Sequence, residues 1–437
     1  MSSWRIQYER NDTIVNDYGN VRVTEDSEDR IALDAAFKAD AIRQFERLRK
    51  KGPVHPVTLS SGLPGWLVVS YAAAREALTH PALGNHPAPA IATLEAAGYV
   101  THHDDVNGGH MLASDPPNHT RLRRLVAGAF TTKRVQELRQ RIEEIANSLI
   151  DSWPSSGQVD LVSEFTAPLP VTVIAELIGV PEHHRNEFRK LTGDALAVGT
   201  PQSEPAFMQL RALLTGLIDE KSKNPEDDLT SALIAARDDD DSRLSDQELL
   251  SMLQLLLIAG HETTVNLMGN AIMALMCHPD QLEILRNEPV LIASAAEEFL
   301  RYDSPLELST LRFAAEDLKI GGTLIEKGSI VVVALASANR DVPVPGSGVP
   351  GTLDVTRKAS RHLAFGHGIH HCLGAPLARL EFGVAMEILL RRLQHLELAV
   401  PYDEIDWISK GIMRGALKIP VRYRKDPGGS TLLPKTH

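Results

Sequence analysis

Apolar residues recur at helical spacing over residues 39–48, 72–78, 121–130, 133–150, 172–178, 207–221, 246–277, 289–301 and 375–393, and these stretches are expected to form helices. Strand signals are fewer. Residues 54–59 and 65–70 flank a Ser-Ser-Gly-Leu-Pro turn and predict a hairpin, 309–314 and 329–335 predict two later strands, and 396–400 with 417–422 predict a short C-terminal pair. The expected fold class is therefore mainly α with minor β (α+β). The stretch 246–277 is apolar nearly all round, so it is expected to run through the core. Ser245 and Glu248 have capping-box spacing and mark its start, and the acidic run 238–241 before it reads as a solvated loop. A long irregular connection, 85–111, holds Pro87, Pro89 and a polar stretch rich in His and Asp, the kind of loop usually retained for binding.

Composition narrows the class. A chain of 437 residues with 43% hydrophobic residues can bury a substantial core. No linker divides it, so one domain over 31–424 is expected, between a polar segment 1–30 and a tail 425–437. The net charge of −12 argues against non-specific nucleic-acid binding. Two cysteines, Cys277 and Cys372, indicate no disulfide framework and fit a reducing cytoplasm. Cys277 is expected to be a helical core residue. The N-terminal stretch has no apolar run long enough for a signal peptide or membrane anchor, so a cytoplasmic protein is expected.

Cys372 carries the chemistry. It stands in Phe365-Gly-His-Gly-Ile-His-His-Cys-Leu-Gly374, where Gly366, Gly368 and Gly374 let the backbone turn tightly and approach a flat ligand. The following residues open a helix with Pro376 in its first turn, which sets the positive dipole end near the sulfur. The amides of Leu373 and Gly374 are placed to donate to it. Such a thiolate is suited to hold an iron. Within the apolar stretch 246–277, Ala259-Gly-His-Glu-Thr-Thr264 sets a carboxyl, Glu262, and a hydroxyl, Thr263, beside Gly260. Gly260 is expected to leave room for a flat cofactor or bound oxygen, and Thr263 can bond the carbonyl four residues back. An acid and an alcohol together can deliver protons to an oxygen held in a dry site.

Phe365, Gly366, Gly368, His370, Cys372 and Gly374 together resemble the haem-binding loop of the cytochrome P450 family, and the Ala259–Thr264 block resembles its oxygen-activating motif. The elements occur in family order over roughly 39–423. The wording around 110–124, 259–267 and 301–307 is similar to actinobacterial hydroxylases that tailor macrolides and related polyketides. The resemblance implies a single-domain fold with haem b buried between a long distal helix and the cysteine loop. It implies Cys372 as the iron ligand, Thr263 bonding the oxygen under activation, Glu262 helping deliver protons, and Gly260, Phe365 and Gly374 at the cofactor. His119, Arg123, Arg312 and His370 take positions that resemble contacts to the haem propionates, with His362 a weaker candidate. Glu298 and Arg301 match the structural Glu-x-x-Arg pair, for which Arg357 is the expected third member. After Asp341 the chain departs from the family pattern, having Val342-Pro-Val-Pro-Gly-Ser-Gly-Val-Pro-Gly351.

The expected reaction is dioxygen-dependent hydroxylation or epoxidation of a hydrophobic small molecule of the polyketide or macrolide type. The alternatives are peroxide-driven oxidation of a lipid or steroid, and a non-catalytic haem-binding protein. Gly346-Ser-Gly-Val-Pro-Gly351 has the Gly-x-Gly-x-x-Gly spacing but lies among prolines and does not open a helical stretch, so no flavin- or nicotinamide-binding segment is evident and ferredoxin and ferredoxin reductase are the expected electron donors. Arg121, Arg124, Lys133, Arg134 and Arg379 are expected to form a basic docking patch on the sulfur side. Substrate contacts are expected from 85–111, 185–214, the distal helix around Leu256 and Ala259, 306–311 and the turn 410–413. Glu307 is a candidate partner for a substrate amine.

Overall fold

A computed structural model describes residues 30–96, 109–196, 201–238, 244–341, 349–358 and 361–426. The N-terminal segment, most of the 97–111 part of the binding loop, the 342–348 departure from the family pattern and most of the tail lie outside these residues. Helices dominate, and the strands form three small sheets. In the largest, β1 (Ile31–Ala32), β2 (Val54–Thr58), β3 (Pro64–Val68), β6 (Ile330–Val333), β5 (Arg312–Ala314) and β4 (Leu83–Gly84) lie side by side in that order. β2 and β3 are the expected hairpin, paired Val54 to Val68 through Thr58 to Pro64. Apolar clusters cover both faces of this sheet, with Phe45 and Leu67 on one and Val68 and Val333 on the other.

The remaining core is helical and is centred on Asp246–Cys277, whose residues 249–257 and 264–275 are buried. Its start is the expected capping box: Ser245 Oγ accepts from Glu248 N at 3.1 Å and Glu248 Oε2 accepts from Ser245 N at 2.8 Å. This helix packs against Pro168–Leu177 on one side and against the cysteine helix Ala375–Arg392 on another.

Several expectations shift. The stretch 133–150 forms two helices, Thr132–Glu137 and Arg139–Asp151, and 289–301 begins as a short 3-10 turn before Ile292–Tyr302. Helices Arg185–Leu196, Leu229–Asp238 and Pro279–Asn287, and the hairpin Leu318–Ile320 with Thr323–Ile325, have no counterpart in the sequence reading. The C-terminal pair Leu393–Leu398 and Pro420–Lys425 gains a third strand, Ser156–Asp160, from far earlier in the chain. Cys277 is exposed rather than in the core, because it falls in the last turn of the central helix, where the chain leaves the interior.

Candidate active site

The cysteine loop folds as its glycines permit. Gly366 and Gly368 have φ of 72° and 77°, and a Cβ at Gly368 would lie 2.9 Å from the carbonyl oxygen of Leu78. Cys372 N donates to Phe365 O at 2.8 Å, which closes the loop and fixes the sulfur at the entrance to Ala375–Arg392. The amides that favour the thiolate are those of Gly374 and Ala375, one residue further on than expected, at the start of the helix. Burial pushes the thiol up, and these amides with Arg123 and Arg379 pull it part of the way back. Cys372 is exposed yet strongly desolvated. A sulfur on the wall of a deep cleft satisfies both observations. Since desolvation wins, the thiolate form there needs a bound cation to hold it.

Beside this loop, buried donors converge. His119 is 3% exposed, and neither of its ring nitrogens has a partner. Its ring packs 4.4 Å from that of His370, whose Nε2 is 3.9 Å from Asp115 Oδ1, too far for a hydrogen bond. Arg312, also buried, donates to Leu83 O at 3.3 Å but leaves Nε without an acceptor. Burial pushes His119 down to about 4 and Arg312 down to about 10. Buried donors lacking acceptors are rare and costly, so this cluster fits an anionic, acceptor-rich group. A lone sulfur donor flanked by glycines, with such a cluster next to it, fits an iron porphyrin and its carboxylates.

Not every expected contact joins that cluster. Arg123 donates to His371 O at 2.6 Å, within the cysteine loop itself. His362 is bound to Glu297 Oε2 at 3.0 Å and accepts from Ala364 N at 3.2 Å, which leaves it no free nitrogen. Arg379 is held by Glu297 at 2.6 and 2.9 Å and stacks 4.5 Å over the ring of Phe365, so it braces the loop instead of standing free for a partner. Arg121 pairs with Glu248 in the first turn of the central helix. Of the basic patch, Arg124, Lys133 and Arg134 are exposed. Asp115 was not anticipated. It accepts from Asn85 N at 3.0 Å and His86 N at 3.1 Å, and a Cβ at Gly84 would collide with it. Its place four residues before His119, ahead of two prolines, was the available signal.

On the central helix, Ala259 is exposed and Gly260, Glu262 and Thr263 are half-buried, between long buried stretches on either side. This break in burial marks a face that lines a cleft. Thr263 Oγ1 donates to Ala259 O at 3.1 Å, the expected four-residue back bond, and the helix stays continuous through it. Burial pushes Glu262 up to about 7. His261 turns away, its Nδ1 donating to Leu257 O at 2.8 Å, and burial pushes it down to about 4, so it stays neutral. The space that Gly260 frees is taken by Ile174, whose Cδ1 would lie 3.1 Å from an added Cβ. That glycine therefore allows close packing of the central helix on Ile174.

Glu298 accepts from Arg301 Nε and the same guanidinium's second nitrogen at 2.8 Å each, from Arg357 Nε at 3.1 Å, and from Asp354 N at 2.9 Å. Arg357 is thus the third member of the network. Glu307 is 2% exposed, its Oε2 has no hydrogen-bond partner, and burial pushes it up to about 7 against the pull of Lys38 and Arg414.

The sequence model of the family described as Cytochrome P450 matches residues 205–419. The chain is 43% identical over 398 residues to cytochrome P450 monooxygenase PikC of Streptomyces venezuelae, covering 90% of this chain and 94% of that one. It is 41% identical over 396 residues to 6-deoxyerythronolide B hydroxylase of Saccharopolyspora erythraea, covering 89% and 97%. Among solved structures it resembles the tirandamycin C-bound P450 monooxygenase TamI, with 41% identity, a TM-score of 0.80 and coverage of 90% and 99%.

Proposed function

The chain belongs to the cytochrome P450 family of haem b monooxygenases, and from that premise we propose that Cys372 ligates the iron and that Glu262 and Thr263 manage protons on the opposite side. The observation that carries this reading is the desolvated sulfur of Cys372 beside the ring nitrogens of His119, His370 Nε2 and Arg312 Nε, buried atoms without a hydrogen-bond partner. The haem, when bound, supplies an iron at which dioxygen and two electrons insert one oxygen atom into the substrate and release the other as water.

The residues then have distinct tasks. His119, His370 and Arg312 hold the propionates. Thr263 presents a hydroxyl whose proton is engaged with Ala259 O and whose oxygen stays free to accept, so it can take a proton from one side and pass one on. Glu262, pushed up to about 7, is a mixture of acid and carboxylate near neutrality and can relay protons into a cleft that excludes bulk water. This retained pair favours dioxygen over peroxide as oxidant. The raised value has a pH consequence. Below about 7 the carboxyl carries its proton, and above it the group ionises at a desolvation cost, so its contribution to stability falls as pH rises through that value. Product formation limited by proton delivery should fall over the same range. Glu262→Gln is expected to lower it about a hundredfold and flatten that limb of the profile; an unaltered pH profile contradicts the role.

The substrate we propose is a hydrophobic polyketide or macrolide, hydroxylated or epoxidised, in keeping with the relatives named for 6-deoxyerythronolide B and tirandamycin C. Titrating the holoenzyme with macrolactones, steroids and fatty acids and following the spin-state spectrum tests this. A shift and an oxygenated product with macrolactones support it, and a response only to steroids or fatty acids overturns it. For electron supply we propose an acidic ferredoxin, with its reductase, docking at Arg124, Lys133 and Arg134 in the cytoplasm. Arg124→Glu should lower ferredoxin-supported turnover about threefold at low salt; unchanged turnover and salt dependence remove that surface. Among the described residues no helix is long and apolar enough to cross a membrane.

A further inference from the structure

The turn 410–413 has an unusual support. Lys38 Nζ donates to Lys410 O at 3.0 Å, Gly411 O at 2.8 Å and Met413 O at 2.6 Å, so its three protons meet three carbonyls. The fourth carbonyl, that of Ile412, accepts from Glu307 N at 2.9 Å and Leu308 N at 3.3 Å. Every backbone acceptor of the turn is therefore held, three of them by one side chain from the other end of the chain. Gly411, with φ of 74°, makes the bend that brings these carbonyls together.

Both ends of this link are anchored. Lys38 stands on the short helix Ala35–Ala39, where Asp34 caps Phe37 N at 2.8 Å and the Phe37 ring meets buried Phe45 edge-on at 5.5 Å. On the far side, Asn270 Nδ2 donates to Arg414 O at 3.0 Å, and Gly415 lies so close to Asn266 that an added Cβ would collide with it. Asn266 and Asn270 follow Glu262 by four and eight residues, which sets them on the same face of the central helix, about one and two turns along. Met413 also bridges to Leu306, which places the turn against the segment 306–311 expected to contact substrate. The charge of Glu307, on the segment that holds Ile412 O, favours the half-buried Lys38 ammonium, but burial outweighs it and pushes that lysine down.

We propose that Lys38 is a positioning residue for substrate: by clamping the carbonyls of 410, 411 and 413 it fixes one wall of the cleft and thereby sets the size of molecule that fits. The proposal rests on the monooxygenase reading above. A lysine that only tied the fold together would affect all ligands alike, whereas a clamp on one wall affects those large enough to touch it.

The test uses holoenzyme carrying Lys38→Met, which keeps the apolar stem and removes the donors, titrated with two iron-binding probes, imidazole and the bulky azole clotrimazole. Imidazole should bind within about twofold of wild type, while clotrimazole affinity should change by about tenfold. Amide exchange over 408–416 should quicken, and Lys38→Arg should restore most of both properties. Equal affinities for both probes in variant and wild type, or an equal loss for both, would overturn the clamp. Failure of wild-type enzyme to bind imidazole at a haem iron would instead overturn the underlying family reading.

Discussion

Cys372→Ser should reduce monooxygenase turnover by about three orders of magnitude or more and should remove the thiolate signature from the haem. The reason is chemical rather than architectural. The backbone bond from residue 372 to Phe365 O, the left-handed glycines and the helix behind the loop do not depend on sulfur, so the fold should lose no more than about 1 kcal/mol. What serine cannot supply is a soft, electron-rich anion. Its hydroxyl is far harder to deprotonate than the thiol, and it would sit in the same desolvated position that already pushes Cys372 up. Turnover assays with reconstituted redox partners, alongside haem content, decide the matter. Retained turnover in the serine variant would assign the ligand elsewhere.

Glu298→Ala should be the most damaging substitution for stability. The carboxylate is 1% exposed and faces two guanidinium groups, Arg301 and Arg357, as well as the Asp354 amide. Removing it leaves two buried positive charges with only carbonyls for company, namely Pro350 O and Thr352 O. Breaking a buried pair in this way costs about 3–5 kcal/mol, a large part of the stability of an ordinary domain. Glu298→Gln keeps an acceptor and most of the volume, so it should lose less. Arg357 precedes the cysteine loop by only a few residues, so the alanine variant should also retain haem poorly. Urea unfolding midpoints of the two variants test this, and a Glu298→Ala midpoint equal to wild type would refute the network's structural role.

The sequence made some of this legible and concealed the rest for a physical reason. Features encoded within a few residues could be read directly: the central helix with its Ser245–Glu248 box, the glycines around Cys372, the Thr263 back bond and the β2–β3 hairpin. Arg357, beyond an irregular stretch, was reachable only through the family resemblance, which implies a later arginine on the Glu298–Arg301 pair. Partner choices across the fold were not legible. Arg121 turns to Glu248 and Arg123 to His371, although their spacing alone offered both to other partners. That Ile174 packs against Gly260 is likewise set by the approach of another helix and not by the local motif. Strand Ser156–Asp160 and the clamp of Lys38 depend on segments hundreds of residues apart, which no local period records. Cys277 misled because an apolar neighbourhood does not reveal that a helix has reached the surface.

The central claim is that Cys372 holds a haem iron through its sulfur, and the absorption spectrum of the reduced, carbon-monoxide-bound protein reads that bond directly. The strongly red-shifted Soret band of thiolate ligation is the predicted result, lost in Cys372→Ser; a histidine-type band, or a protein that takes up no haem, would contradict it.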